Sequence, residues 1–353
     1  MAGLFAYDAV SAKCRCLIGK LLTREEYSAL ASQKTLAGAV AYLKEETSYS
    51  DLLSDIEPAN IHRARLEQLL EGRLVDVYIK LYTFTSGPER RFIGHLLEEL
   101  EIRYLLDAIR ATEYDDSMEF YSIPPFIRSH TTIDFARIFR TDSKAEILEA
   151  LRGTEYYELL YPLLSDNKSR FSQIEAEINQ SYYKKLMTSY TDHFDKDQKK
   201  RIRAAISARI DLLNLSVILR IRRFKTLNEG VDRVKLDFTA ILPLLIPIFG
   251  RFGESEIVSI CSDELTLDET LDRFAELYRK PVGLFYEQNA TGNYGSAFLY
   301  RMSRGMATSS KPSFDIVFGY LSLIRFENDN IIYILEALRY GVPQEKIEAS
   351  III

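Results

Sequence analysis

One stretch of this chain is written three times, and each copy carries the spacing of a helix. Glu101-Ile102-Arg103-Tyr104-Leu105-Leu106-Asp107-Ala108-Ile109-Arg110 lines up with Asp211-Leu212-Leu213-Asn214-Leu215-Ser216-Val217-Ile218-Leu219-Arg220. An acid opens both and an arginine closes both. A third copy starts at Glu327-Asn328-Asp329-Asn330-Ile331-Ile332; it keeps the acid and the asparagine and has Glu336 where the arginine would fall. The first copy departs differently, with Tyr104 in the asparagine position. A second marker supports the repeat. Thr47-Ser48-Tyr49-Ser50-Asp51-Leu52-Leu53 resembles Thr154-Glu155-Tyr156-Tyr157-Glu158-Leu159-Leu160, with a degenerate counterpart around Leu277-Tyr278. Two markers in step predict three related units: residues 1–118, 119–228 and 229–353. Three similar units are able to close around a central concavity, a shape suited to a rod-like partner.

Within the units the apolar period is that of a helix, and strand alternation is nearly absent. Ile202, Ile206, Ile210, Leu213, Val217, Ile221 and Phe224 recur at steps of three and four and predict one buried stripe over 199–224, with Arg201, Arg203, Arg209 and Arg222 largely off it. Ile93, Leu97, Leu100, Tyr104 and Ala108 do the same over 91–111. A third run covers 314–340, stopped by Gly341 with Pro343 beyond. Thr23-Arg24-Glu25-Glu26 and Thr266-Leu267-Asp268-Glu269 read as capping boxes at helix starts. The ten prolines fall outside the long periodic runs and mark connectors. The fold class expected is therefore all-α.

Composition narrows the function classes. Apolar residues are 47% and charged residues 27% of the chain, enough for a sizeable core. A net charge of −6 argues against nucleic acid as the main partner. Cys14, Cys16 and Cys261 do not make a disulfide framework and suit a reducing compartment; the two in Cys14-x-Cys16 are expected to be buried as small apolar residues. The N-terminus shows no basic segment followed by a long apolar run. The most apolar stretch, 238–249, is too short to span a bilayer and holds Pro243 and Pro247.

Three stretches carry a family resemblance. Ala6-Tyr7-Asp8-Ala9 through Gly19-Lys20-Leu21-Leu22-Thr23-Arg24-Glu25-Glu26-Tyr27 is one. The acid-x-x-Asn segments ending in Leu-Arg, best seen at Asp211, Asn214 and Arg220, are the second. The tail from Asn330-Ile331-Ile332 to Tyr340-Gly341-Val342-Pro343-Gln344-Glu345-Lys346-Ile347 is the third. In this order they resemble the C subunit of bacterial and archaeal V/A-type rotary ATPases, called d in eukaryotes. The resemblance implies three pseudo-symmetric helical domains forming a funnel with a central cavity. It implies a non-catalytic central-stalk subunit, in the cytoplasm and peripheral to the membrane, coupling the shaft to the rotor ring for proton or sodium transport. The implied partners are the shaft subunits of the D and F type and the ring, with no cofactor and no transmembrane segment of its own.

Competing motifs are incomplete. Asp115-Asp116-Ser117-Met118-Glu119 matches the DDxxE pattern of magnesium-dependent terpenoid synthases, and Asn328-Asp329 with Glu336 has the spacing of their second metal motif. Ile332 stands where that motif needs a hydroxyl, so a hard cation lacks an oxygen there. His62, His95, His130 and His193 have no ligand-like spacing. Gly250-Arg251-Phe252-Gly253 and Gly292-Asn293-Tyr294-Gly295 are turns without the Lys-Ser/Thr of a phosphate loop. A helical adaptor unrelated to ATPases is the alternative of another class. The basic runs 199–203 and 220–225 are expected at solvated helix ends. The site residues singled out are Glu101, Arg110, Asp211, Asn214, Arg220, Glu327 and Asn330, as packing residues shared by the repeat or as cavity lining. Packing is favoured, because an unpaired buried charge is costly.

Overall fold

The computed structural model describes residues 7–61, 63–114, 131–141, 143–165, 169–189, 194–287 and 294–353. Among the described residues no strand forms; two isolated bridges, Val234 to Leu265 and Glu287 to Tyr294, are the only strand-like pairings. The all-α class expected from the period is what folds. The Asp115–Glu119 motif, His62, His130, His193 and the first half of the Gly292–Gly295 turn lie outside the described residues.

Contacts divide the chain into two units, one of residues 1–89, 196–205 and 284–353, the other of 90–195 and 206–283. The first unit holds α1 (Asp8–Ile18), α2 (Arg24–Ala31), α3 (Leu36–Glu46), α4 (Ser50–Leu53), α5 (Arg63–Phe84) and the start of α6 (Gly87–Tyr114). The second holds the rest of α6, then α7 (Phe135–Ile138), α8 (Lys144–Ala150), α9 (Glu155–Leu164), α10 (Phe171–Ser189) and all but the first turns of α11 (Lys196–Glu229). It also holds α12 (Phe238–Ile241), α13 (Glu254–Ser262) and α14 (Leu267–Tyr278). The first unit is completed by α15 (Ser296–Ala307), α16 (Phe314–Arg339) and α17 (Gln344–Ser350).

The helix limits follow from side-chain chemistry. Both predicted capping boxes form: Thr23 and Glu26 exchange bonds at 2.7 and 3.2 Å, and Thr266 and Glu269 at 2.9 and 3.1 Å. Each satisfies two of the orphan N–H groups at a helix start. α16 ends as predicted. Gly341 sits at φ +65°, and Val342 N–H reaches back to the Ala337 carbonyl at 2.9 Å, a left-handed stop that favours glycine. Pro162 departs from the expectation for prolines, lying inside the short α9.

In the first unit, Tyr27, Leu30, Leu43, Leu53, Leu66 and Leu70 pack with Ile331, Ile334 and Leu335 of α16, so the ends of the sequence share one core. In the second, all five residues of the α6 stripe are buried. The α11 stripe is a correction. Ile202, Ile206 and Ile210 are buried, but Leu213, Val217 and Ile221 are only half-buried and Phe224 is exposed. From Asp211 onward the inward face carries Asp211, Asn214, Leu215, Ile218 and Arg222 instead. Arg222 likewise overturns its place among solvated helix ends. It is fully buried and donates to the carbonyls of Val234, Leu265 (2.6 Å) and Ile260 (2.9 Å). Burial lowers its pKa. Cys14 is buried as expected, whereas Cys16 is exposed.

Candidate functional site

An acid and an asparagine three residues apart lie on one face of a helix, one turn apart. In the second copy that face meets a loop. Asp211 is fully buried, and its Oδ1 accepts the Gly250 N–H at 2.8 Å. Its Oδ2 accepts the N–H groups of Arg251 (2.8 Å) and Phe252 (3.0 Å) and the Tyr278 hydroxyl (2.6 Å). The loop read from sequence as a turn is thus a nest of backbone N–H groups filled by the protein's own carboxylate. Gly250 is required by space: a Cβ there would lie 2.5 Å from Asp211 Oδ2. One turn on, Asn214 donates to the Ile246 carbonyl (3.0 Å) and accepts the Ile246 N–H (2.8 Å), so a single residue's backbone is read at both ends.

The third copy repeats these roles with other partners. Glu327, also buried, accepts the Leu22 N–H at 2.5 Å through Oε2. Its Oε1 accepts the Tyr49 hydroxyl (2.7 Å) and Arg73 Nη1 (3.2 Å). Arg73 stacks over the Tyr49 ring, 3.7 Å from its centre. Asn330 donates to the Ile352 carbonyl (2.9 Å) and accepts the Ile352 N–H (3.0 Å). Acid to backbone N–H and tyrosine, asparagine to both ends of one isoleucine: the two clasps match in chemistry.

The first copy keeps the acid and loses the rest. Glu101 accepts a bond from the Thr131 side chain. The Tyr104 hydroxyl, in the asparagine position, is buried without a hydrogen-bond partner, and its ring meets Phe135 edge-on at 6.1 Å. Tyr156 feels the charge of Glu101, yet its buried hydroxyl makes no hydrogen bond. Beside them, Lys185 joins Glu98 (2.6 Å) to Glu155 (2.8 Å).

The tyrosines carry a further order. Tyr49, Tyr156 and Tyr278 are the second repeat marker. Glu101 neighbours the marker tyrosine of the second copy, Asp211 binds that of the third, and Glu327 binds that of the first. The sequence displays both markers; that they pair, and with which partner, is not legible in it.

Burial raises the pKa of Asp211, and its hydrogen-bond donors pull the other way. Burial raises Glu327 too, against Arg73 and its own donors. Glu101 is pushed up to about 7, first by burial, with the charges of Glu98 and Glu155 adding to it. Tyr49 and Tyr278 are raised by burial and by the acids they bind.

The closing arginines are solvated. Arg110 is 4.0 Å from Asp107 of its own helix and lies over the Phe171 ring at 4.6 Å. Arg220 is 3.8 Å from Glu175. Pairs this long and exposed contribute little. Among the described residues no cluster of His, Cys, Asp and Glu could hold a metal, and His95 pairs with Glu98 at 3.1 Å. In the two complete clasps every carboxylate oxygen is taken by the protein's own donors, so the arrangement fastens chain segments together.

A family model described as ATP synthase (C/AC39) subunit matches residues 10–350. Curated relatives, each named as the C subunit of an A-type ATP synthase, include one from Thermococcus kodakarensis, 28% identical over 61% of this chain and 56% of its own length. One from Pyrococcus horikoshii is 31% identical over the same shares. One from Pyrococcus abyssi is 23% identical over 98% of this chain and 90% of its own. The alignments with the first two thus span little more than half of those relatives.

Proposed function

This chain belongs to the ATP synthase (C/AC39) subunit family, and from that premise we propose that it is the non-catalytic central-stalk subunit of a V/A-type ATPase. It couples the rotating shaft to the membrane rotor ring for proton or sodium movement. The family match over nearly the whole chain is the observation that carries this reading. In this proposal the three repeats, bounded near residues 118 and 228, form a funnel that receives the shaft of D- and F-type subunits. The chain is held at the membrane through the complex, since no described helix is long and apolar enough to cross it.

A torque-bearing part must not shear between its helices. The clasps suit that demand, because buried charge-assisted bonds to backbone N–H groups lock helix against loop more firmly than apolar contact, which slides. Glu327, Asn330, Asp211 and Asn214 serve in this reading as internal fasteners, and Glu101 as a weaker one.

The test uses a tagged full-length chain recovered from detergent-solubilised membranes of its own cells. Co-recovery of the nucleotide-binding and shaft subunits is expected. Removing the chain should abolish ATP-driven ion uptake into membrane vesicles while ATP hydrolysis by the detached catalytic head persists. Recovery without any ATPase subunit would overturn the proposal in favour of an unrelated helical adaptor.

A further inference from the structure

α11 opens on a row of cations that the fold does not use. Lys196, Lys199, Lys200 and Arg203 stand at i, i+3, i+4 and i+7, so they share one face of its first two turns, over about 10 Å. Lys196, Lys200 and Arg203 are exposed and Lys199 is half-buried. Among the described residues none of the four has a carboxylate partner. Arg201, in the same turns, is the contrast: it pairs with the buried carboxylate of Asp315.

Such a row works against stability. Like charges three and four residues apart repel along a helix, and a helix start is itself positive. The repeat does not require it either. In the register that aligns Glu101, Asp211 and Glu327, the same positions hold Ser86, Glu89, Arg90 and Ile93 in the first copy. In the third they hold Pro312, Asp315, Ile316 and Gly319. Asp195 and Asp197 sit at the same helix start, where the dipole favours an acid. Asp197 lies about 100° round the helix from Lys196, off the row, and both acids already hold interactions of their own. On a chain of net charge −6, four free cations that neither helix nor repeat needs mark a face for an anionic partner. A lipid surface would find no large exposed apolar side chain in these two turns to anchor it, since Ile202 is fully buried. A second helix with carboxylates at the same three-four spacing meets all four cations in register.

We propose that this row docks an acidic helix from another subunit of the same ATPase complex. The proposal rests on the reading of the chain as an ATPase subunit, and both arms of its test use the full chain in its own membranes. In the first, Lys196→Gln, Lys199→Gln, Lys200→Gln and Arg203→Gln are combined. Co-recovery of ATPase subunits should fall at least five-fold, while the urea midpoint of the variant stays level or rises because the repulsion is gone. A lowered midpoint would make the row structural and overturn the proposal. In the second arm, photoreactive benzoylphenylalanine replaces Lys200, or as a control Lys34, an exposed lysine of the same unit. Position 200 is expected to crosslink at least five-fold more than position 34, into a subunit segment with Asp and Glu at helical spacing. Crosslinking into lipid, into a second copy of this chain, or no more than the control overturns the proposal. Equal recovery of ATPase subunits by wild type and variant defeats the row alone. Recovery of none by the wild type defeats the functional reading and the row's partner with it.

Discussion

The clasp at Asp211 and the site at Glu101 stand at equivalent places in two copies of one repeat, and they have diverged in opposite directions. Asp211 has three backbone N–H groups and a tyrosine hydroxyl around it, with an asparagine one turn on reading a further backbone. Glu101 has a threonine hydroxyl, an acidic neighbourhood and a tyrosine whose hydroxyl bonds to nothing. Burial alone does not make a carboxylate a fastener. The donors arranged around it do, and they come from loops that the repeat motif does not specify.

The contrast is broken or upheld first by deletion. Asp211→Ala strands three backbone N–H groups and a hydroxyl in the interior, and should destabilise by about 4 kcal/mol or more. Glu101→Ala strands no backbone group among the described residues and should cost less than half as much. Urea titration followed by circular dichroism measures both, and equal losses would dissolve the distinction.

The second effect is on pH. The Glu101 carboxyl holds its proton more tightly in the fold than in the unfolded chain, so its contribution is full below pH 4.5. It is lost as pH rises to about 7 and levels off above that. Glu101→Gln should flatten this fall, worth up to about 3 kcal/mol for a shift of that size. A wild-type denaturation midpoint that does not decline between pH 4.5 and 7 would show Glu101 to be solvated.

The smallest effect is the most specific. Tyr49→Phe and Tyr278→Phe each remove a hydroxyl that an acid accepts, and should each cost about 1–2 kcal/mol. Tyr156→Phe removes a hydroxyl with no partner and should be neutral or stabilising. Comparable losses at all three positions would mean that Tyr156 is clasped after all.

The periodic part of the molecule was legible because helices announce themselves locally. The α6 stripe, both capping boxes and the Gly341 stop needed no tertiary information. The signature acids and asparagines were legible as recurrent residues. What failed was the face of α11 beyond Ile210, for a physical reason. A stripe chosen for apolarity alone follows Leu213, Val217, Ile221 and Phe224, whereas the buried face is polar. Asp211, Asn214 and Arg222 are buried because distant loops bring donors and acceptors to them. Positions 211, 215, 218 and 222 do share one helical face, a signal that was available and outweighed by charge. Nothing local reveals that Tyr49 answers to Glu327 rather than to a residue of its own repeat.

That pairing has a consequence in time. The Asp211 clasp links residues 67 apart, and the Glu327 clasp links residues 278 apart. With equal chemistry, the longer loop costs about 1 kcal/mol more to close from a random chain. The more severe constraint is order of synthesis: Tyr49 leaves the ribosome long before Glu327 has been translated. Until it arrives, the core of α2, α3 and α5 lacks α16, and its apolar side chains must be sheltered by something other than their final neighbours.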